Sequence, residues 1–566
     1  MNPSASPRLY WLSALTAAAL FMGGLREPAS AAWFMVALWG AVILADGGVD
    51  LRRAGPWTAL AAWSLLSALM NPAAGPGALA SSARYWAAAA FFVCAASTSG
   101  FDRFLRGLLL AAGSAGAAVL FYERLAGLAP SGILPPNPNY TAALAGSAAV
   151  LLFSGALSSS GRRRLLLSAW GLALAASLAA VNSRGALLAA WVSSVWLLFS
   201  GGRRRAGAAL LAAPVLAAFL LPQNWLDGLL KLSDPHAYRR LDIWRSALSA
   251  FADRPVSGWG PGSFRHAFEL FKFPAFNGIS FFGHSTVHAH SEPLQLLAET
   301  GLPGAAAYLW GFWYFFGRSV RPALAAAALF LFVQSAVDGI FMAWALQLLM
   351  LASLAAAGET PAGETRASSL FFAEFSAARL AGVLPAMAAA ALAAGSWQWQ
   401  ARHAAATACA YSGGAPRVRA ECAASALRFS PYREGLHLAR AEALAAWSGS
   451  AAAGAAAAEA GLEFLPGSAF LHYRAAGFYL SGGAAGRAEE LLKKALYLEP
   501  NFVRARLSLA ELYESSGRKG AASAERELAG KAAALAGSAV SPYDRELTSR
   551  GPLWKRTGAT TASTRE

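Results

Sequence analysis

The sequence is poor in cysteine, with three residues in 566. That excludes a disulfide-stapled fold and a cysteine-rich zinc site. Cys94 lies inside an apolar run, while Cys409 and Cys422 can pair only if their segment faces an oxidising compartment. Charge is scarce too. Only 14% of residues are charged, and acidic side chains are the rarer sign, 31 against 47 Lys and Arg. With 56% hydrophobic residues and a mean hydropathy of +0.41, the chain cannot hide its apolar surface as a soluble globule. The formal charge of +16 does not mark a nucleic-acid binder, because the basic residues sit in short clusters between apolar runs, such as Arg162 to Arg164 and Arg203 to Arg205.

What the chain does have is a succession of apolar runs. They start near Leu9, Ala31, Pro56, Tyr85, Phe104, Tyr140, Leu165, Ala186 and Ala206, then resume near Leu294, Pro322, Ile340 and Leu380. The expected fold is all-α and polytopic, with about 12–13 transmembrane helices, several of them short. Arg52-Arg53, Arg103 with Arg106, the two arginine triplets, Arg318 with Arg321, and Arg366 recur in every second connection. By the positive-inside rule those connections are cytoplasmic, so the long segment from Pro222 to Pro293 and everything after Trp397 face outward. The first run follows Arg8 and precedes Ala29-Ser30-Ala31, which fits signal peptidase cleavage; an uncleaved anchor helix is the plainer reading.

The tail is Ala-rich and amphipathic, and Pro431, Pro466 and Pro500 stand 35 and 34 residues apart. That period indicates paired-helix repeats of the tetratricopeptide kind, with Tyr479, Ala488, Leu492 and Ala495 at packing positions. The expected organisation is N-terminal transmembrane helices over 1–222, a large loop over 223–293, and C-terminal transmembrane helices over 294–396. A helical solenoid then covers 397–537, and a disordered tail 538–566. The repeats favour a protein contact, with a structural cap over the site as the close alternative.

Chemistry is expected where the ionisable side chains collect, in the long outward loop. Tyr238 to Leu248 reads as an amphipathic helix carrying Arg240 and Trp244. Gly258-Trp259-Gly260-Pro261-Gly262 reads as structural turns; as a phosphate cradle it lacks the Gly-Lys-Ser/Thr that would follow. Ser291-Glu292-Pro293 is a helix start, which leaves His290 just outside a helix N-terminus. There the helix dipole attracts anions and favours neutral imidazole, suiting a general base beside a diphosphate. The helix is expected to carry Glu292 and Glu299 at one angular position and to stop at Gly301-Leu302-Pro303-Gly304. Arg184 and Arg240 are candidates for the anion. Other readings stay open: interface snorkelling for Arg184, a solvated face for Arg240, and incidental histidines or a metal site for His284, His288 and His290, although no HExxH accompanies them.

These motifs resemble the O-antigen ligase and polymerase family between about Arg184 and Leu354. The carriers are Ser183-Arg184-Gly185, Arg240 to Trp244, Arg254-Pro255 with Gly258 to Phe264, and His290 to Gly301. The resemblance implies a membrane enzyme of the bacterial inner membrane, with its large loop in the periplasm. It implies an inverting glycosyltransferase, independent of metal and cofactor, that takes a glycan from undecaprenyl diphosphate. The acceptor is a hydroxyl of lipid A core, polysaccharide or protein. Carried over residue by residue, Arg184 and Arg240 hold the diphosphate, His290 is the catalytic base and Glu299 supports it. Ser291 departs from the Asn usual in the family, and the C-terminal repeats are an addition that leaves the acceptor open. The rivals are a lipid-linked glycan transporter or flippase, a polymerase of the same family, and a non-catalytic scaffold. Transport predicts buried mid-membrane charges and internal symmetry, and neither is evident.

Overall fold

The computed structural model describes residues 7–44, 54–220, 235–358, 401–539 and 541–551, with isolated positions between 391 and 399. Every regular element among them is a helix. The expected run near Leu380 lies outside the described residues; each of the other apolar runs falls on a helix, the one near Ile340 only from Trp344 onward, after a short 3-10 turn. Among the described residues, four helices are long and apolar enough to cross a membrane: Gly77–Ser97, Phe101–Leu125, Pro138–Leu157 and Gly161–Ala180. Five shorter apolar helices accompany them, among them Arg184–Ser200, Pro322–Val337 and Trp344–Ala357. Full-length spans among the described residues are thus fewer than the apolar runs, because several runs end early at turns.

Two compact units are present. One comprises Met1–Met70, Gly77–Gly262 and His288–Ser396. At its centre lies the Pro138–Leu157 helix, rich in Ala, Gly and Ser and buried along nearly its whole length. Small residues let neighbours approach it closely, as packing between apolar helices demands. A Cβ on Gly146 would sit 2.0 Å from Cζ of Phe330, and one on Gly113 would sit 2.5 Å from the Ala148 Cβ. Phe312 stacks on Phe332 with centroids 3.8 Å apart, joining Glu292–Phe316 to Pro322–Val337.

The other unit comprises Asn71–Pro76, Ser263–Val287 and Trp397–Glu566. Part of the long loop therefore packs with the C-terminal helices. Those helices run Pro416–Phe429, Glu434–Ser448, Ala451–Phe464, Ala469–Ser481, Ala485–Leu498, Val503–Ser515 and Lys519–Ala534. The three spaced prolines each stand two residues past a helix end, at Phe429, Phe464 and Leu498, where a residue without an amide proton breaks the helix without cost. Alanines at the crossings, including Ala441, Ala458, Ala488 and Ala510, are fully buried. Cys409 and Cys422 are disulfide-bonded, with Cα atoms 5.8 Å apart. The tail expected to be disordered from Ser538 instead forms a helix at Pro542–Thr548. Ser541 caps it by accepting from the Asp544 amide at 3.0 Å, and Leu547 is fully buried.

Candidate active site

The site is built from one helix start and three turns of the first unit. Glu292–Phe316 begins where Ser-Glu-Pro predicts, with Ser291 extended at the N-cap and Pro293 in the first turn, but the Ser291 side chain makes no capping bond. His290, just outside, holds a left-handed backbone with φ of 54°, uncommon for a residue with a side chain. Hydrogen bonds from its own amides hold this hairpin. The His290 amide donates to Nδ1 of His288 at 3.0 Å, and the Ala289 amide donates to Oε1 of Gln295 at 2.7 Å. His288 Nε2 lies 3.7 Å from a Glu292 carboxylate oxygen.

The helix does not stop at Gly301 as expected. It breaks there, with φ of 67°, and resumes to Phe316. The break exposes the carbonyls of Ala298 and Glu299, which accept from the amides of Trp259 and Gly260 at 2.9 and 2.8 Å, while the Leu302 amide donates to Pro255 at 2.8 Å. This is why the glycines are needed. A Cβ on Gly258 would lie 2.3 Å from the Glu299 carbonyl, and one on Gly301 would lie 2.1 Å from the Val256 oxygen. The glycine-rich segment is a structural clamp on the helix break. Its last glycine, Gly262, donates its amide to Oε2 of Glu299 at 2.8 Å, and Oε1 of Glu299 accepts from Nε2 of Gln295 at 2.7 Å. An unbroken relay runs from the clamp through Glu299 and Gln295 to Ala289.

Asp338 is the centre of charge. It follows Pro322–Val337, is almost fully buried, and accepts from the Gly339 amide at 2.9 Å. Arg240, on the Pro235–Asp253 helix, places Nη2 3.4 Å from Oδ1 of Asp338 and donates through Nη1 to the Val337 carbonyl at 3.0 Å. Arg184 opens the Arg184–Ser200 helix, whose Gly185 packs on the same turn: a Cβ there would lie 3.3 and 3.5 Å from the side chains of Val337 and Asp338. Burial raises the Asp338 carboxyl above its ordinary range, against the opposing pull of Arg240, His288 and Arg184. On the other flank of the turn, a Cβ on Gly339 would meet Nδ1 of His288 at 3.1 Å and Nδ1 of His290 at 3.4 Å. His290 is lowered from 6.5 to about 4, first by burial and then by the fields of His288 and Arg240.

The structure thus gathers Arg184, Arg240 and His290 about the Asp338-Gly339 turn. Glu299 stands apart from them and is linked to the residue before His290 through Gln295. Among the described residues, no group of three or more His, Cys, Asp or Glu is arranged to hold a metal ion. Sequence reasoning missed Asp338 and Gln295. Asp338 had a signal, being the one ionisable residue between Arg321 and Gly358.

Residues 169–309 match a family model described as O-Antigen ligase. This segment is an O-antigen ligase domain. It contains all four residues singled out from the sequence, Arg184, Arg240, His290 and Glu299, whereas Asp338 lies beyond it. The chain is accordingly a membrane protein with a domain of a glycan-processing enzyme family. No curated protein matches it. Among solved structures, one described as "Crystal structure of MamA" is 19% identical, covering 22% of this chain and 73% of that one, with a TM-score of 0.21. A second, "Crystal structure of MamA protein", is 20% identical over 23% and 72% of the two chains, with a TM-score of 0.20.

Proposed function

We propose that this O-antigen ligase domain transfers a glycan from undecaprenyl diphosphate to an acceptor hydroxyl on the outward face of the bacterial inner membrane. Arg184 and Arg240 bind the diphosphate, and His290 takes the acceptor proton. The new bond forms between the hydroxyl oxygen and the anomeric carbon, with inversion. The bond from that carbon to the diphosphate oxygen breaks, its electron pair leaving with the carrier. The observation that carries this reading is the gathering of Arg240, Arg184 and a half-buried imidazole of low basicity around one turn. Fixed cations stabilise the charge of the departing diphosphate at no further cost in reorganisation.

A histidine held near 4 accepts protons weakly. Diphosphate on Arg240 cancels part of the cationic field that lowers His290, so donor binding makes the imidazole more basic when the hydroxyl is present. Asp338 keeps Arg240 in place, and Glu299 with Gln295 positions the histidine hairpin. The transfer needs no metal in this scheme, since the arginines supply the charge a divalent ion would otherwise bring. The outward orientation is supported by the arginine pattern and by the Cys409–Cys422 disulfide, which persists in an oxidising compartment.

The test is mass spectrometry of lipids and envelope components from cells carrying the parental chain or His290→Ala at equal protein level. The parental cells should convert a lipid-linked glycan into one joined to lipid A core, polysaccharide or protein. Identical profiles in the two strains would refute the assignment.

A further inference from the structure

The loop segment within the second unit is held as a peptide ligand is held. From Phe273 to Val287 it has no helix or strand; it turns at Asn277, whose Oδ1 accepts from the amides of Ile279 and Ser280 at 2.9 and 2.8 Å. Three further main-chain groups, those of Ile279, Phe281 and Phe282, are bonded by side chains of the turn between Ala485–Leu498 and Val503–Ser515. Both oxygens of Glu499 are used, accepting from the amides of Phe281 and Phe282 at 2.9 and 2.8 Å. Asn501 donates to the Ile279 carbonyl at 2.8 Å, and the Asp544 carboxylate accepts from Nδ2 of Asn277 at 3.1 Å. The clamp is itself braced: the Tyr543 hydroxyl donates to Glu499 at 3.1 Å, and a Cβ on Gly283 would lie 2.8 Å from the Tyr543 ring. Glu499 is fully buried and Asp544 nearly so, so neither carboxylate is an incidental surface group.

Hydrogen bonds to the main chain give affinity for an extended peptide whatever its side chains. Here the peptide is the chain's own. We infer that the C-terminal helices act in cis as a peptide clamp on residues 277–283, and that Glu499 and Asn501 are positioning residues for transfer. The clamped stretch is tied covalently to the site at both ends. Gly262, which donates to Glu299, precedes it, and only four residues separate Gly283 from His288. Pinning so short a tether restricts the conformations open to the residues that lead into His288-Ala289-His290. A further consequence is that this face of the repeats is occupied, so an external peptide must displace residues 277–283 to bind there.

The positioning role rests on the proposed transfer reaction; the clamp does not. The experiment compares the full-length chain in lipid nanodiscs with Glu499→Gln/Asn501→Ala, using hydrogen exchange and glycan transfer together. Glutamine can accept from only one of the two amides, and alanine removes the bond to Ile279. Exchange across residues 273–287 should quicken by on the order of tenfold while Ala469–Ser481 and Val503–Ser515 keep parental rates. Donor kcat should fall with KM unchanged, because the arginines are untouched. Glu490→Gln, on an exposed position of the Ala485–Leu498 helix, should move neither quantity. Unchanged exchange over 273–287 overturns the clamp; faster exchange with parental kcat overturns the positioning role. If His290→Ala also transfers at the parental rate, the fault lies in the transfer reading and not in the clamp.

Discussion

Glu299→Gln should damage the site through hydrogen-bond polarity and the loss of one charge beside Arg84, since the side chain keeps its size. The parental relay has a single consistent direction: Gly262 and Gln295 donate to Glu299, and Gln295 in turn accepts from Ala289. Glutamine offers one acceptor where the carboxylate offers two. If its oxygen faces Gly262, its NH2 faces the NH2 of Gln295. If Gln295 then turns its amide over, two donors meet at Ala289. Every arrangement leaves one buried N–H opposed, which costs about 1–3 kcal/mol. Expressed wholly as misplacement of the histidine hairpin, that is about 5- to 150-fold in kcat. The decisive variant is Gln295→Glu/Glu299→Gln, which moves the carboxylate one turn along the helix. The carboxylate introduced at position 295 accepts from both Ala289 and the glutamine at position 299, which keeps its own oxygen for Gly262, so all donors are matched again. Transfer measured in proteoliposomes should drop in the single variant and recover in the double one. Parental activity in Glu299→Gln, or a double variant no better than the single, would refute the relay.

Further outcomes follow from the same geometry. The pH profile of kcat/KM, which reports the unliganded enzyme, should stay flat from pH 8 to about 5 and fall below about 4, where an ordinary histidine would fall near 6.5. Because the folded value is depressed, the His290 contribution to stability is complete above 6.5 and is lost as pH falls toward 4; a pH series of thermal unfolding checks the sign. Arg240→Ala should abolish donor binding and destabilise the chain by about 2 kcal/mol, since the Asp338 carboxylate loses its salt-bridge partner, and adding Asp338→Asn should recover the stability but not the binding. Gly258→Ala, read by thermal unfolding, should cost at least about 2 kcal/mol, because a left-handed backbone and the Glu299 carbonyl both exclude a side chain.

Much of this was legible in the sequence because the relevant signals are local. Apolar runs marked the helices, and Ser291-Glu292-Pro293 marked the helix start that sets His290 at its mouth. The proline spacing marked helix pairs, each proline falling just past a helix end. Asp338 escaped because its partner Arg240 is 98 residues away and no pattern links them. Gly301-Leu302-Pro303-Gly304 predicts a stop because such a sequence ends helices in isolation; here Trp259 and Gly260 satisfy the freed carbonyls and the helix goes on. The tail helix, by contrast, was announced by Ser541-Pro542-Tyr543-Asp544, a capping sequence with proline in the first turn, and the composition of the surrounding tail obscured it.

The most direct test of the whole account is glycan transfer by the purified chain in liposomes loaded with a synthetic undecaprenyl-diphosphate glycan, with EDTA present throughout. Transfer by the parental chain that survives EDTA, and that falls at least about a hundredfold in His290→Ala while donor binding is retained, is what a metal-independent imidazole base requires. Undiminished transfer by His290→Ala, or complete inhibition of the parental chain by EDTA, would contradict it.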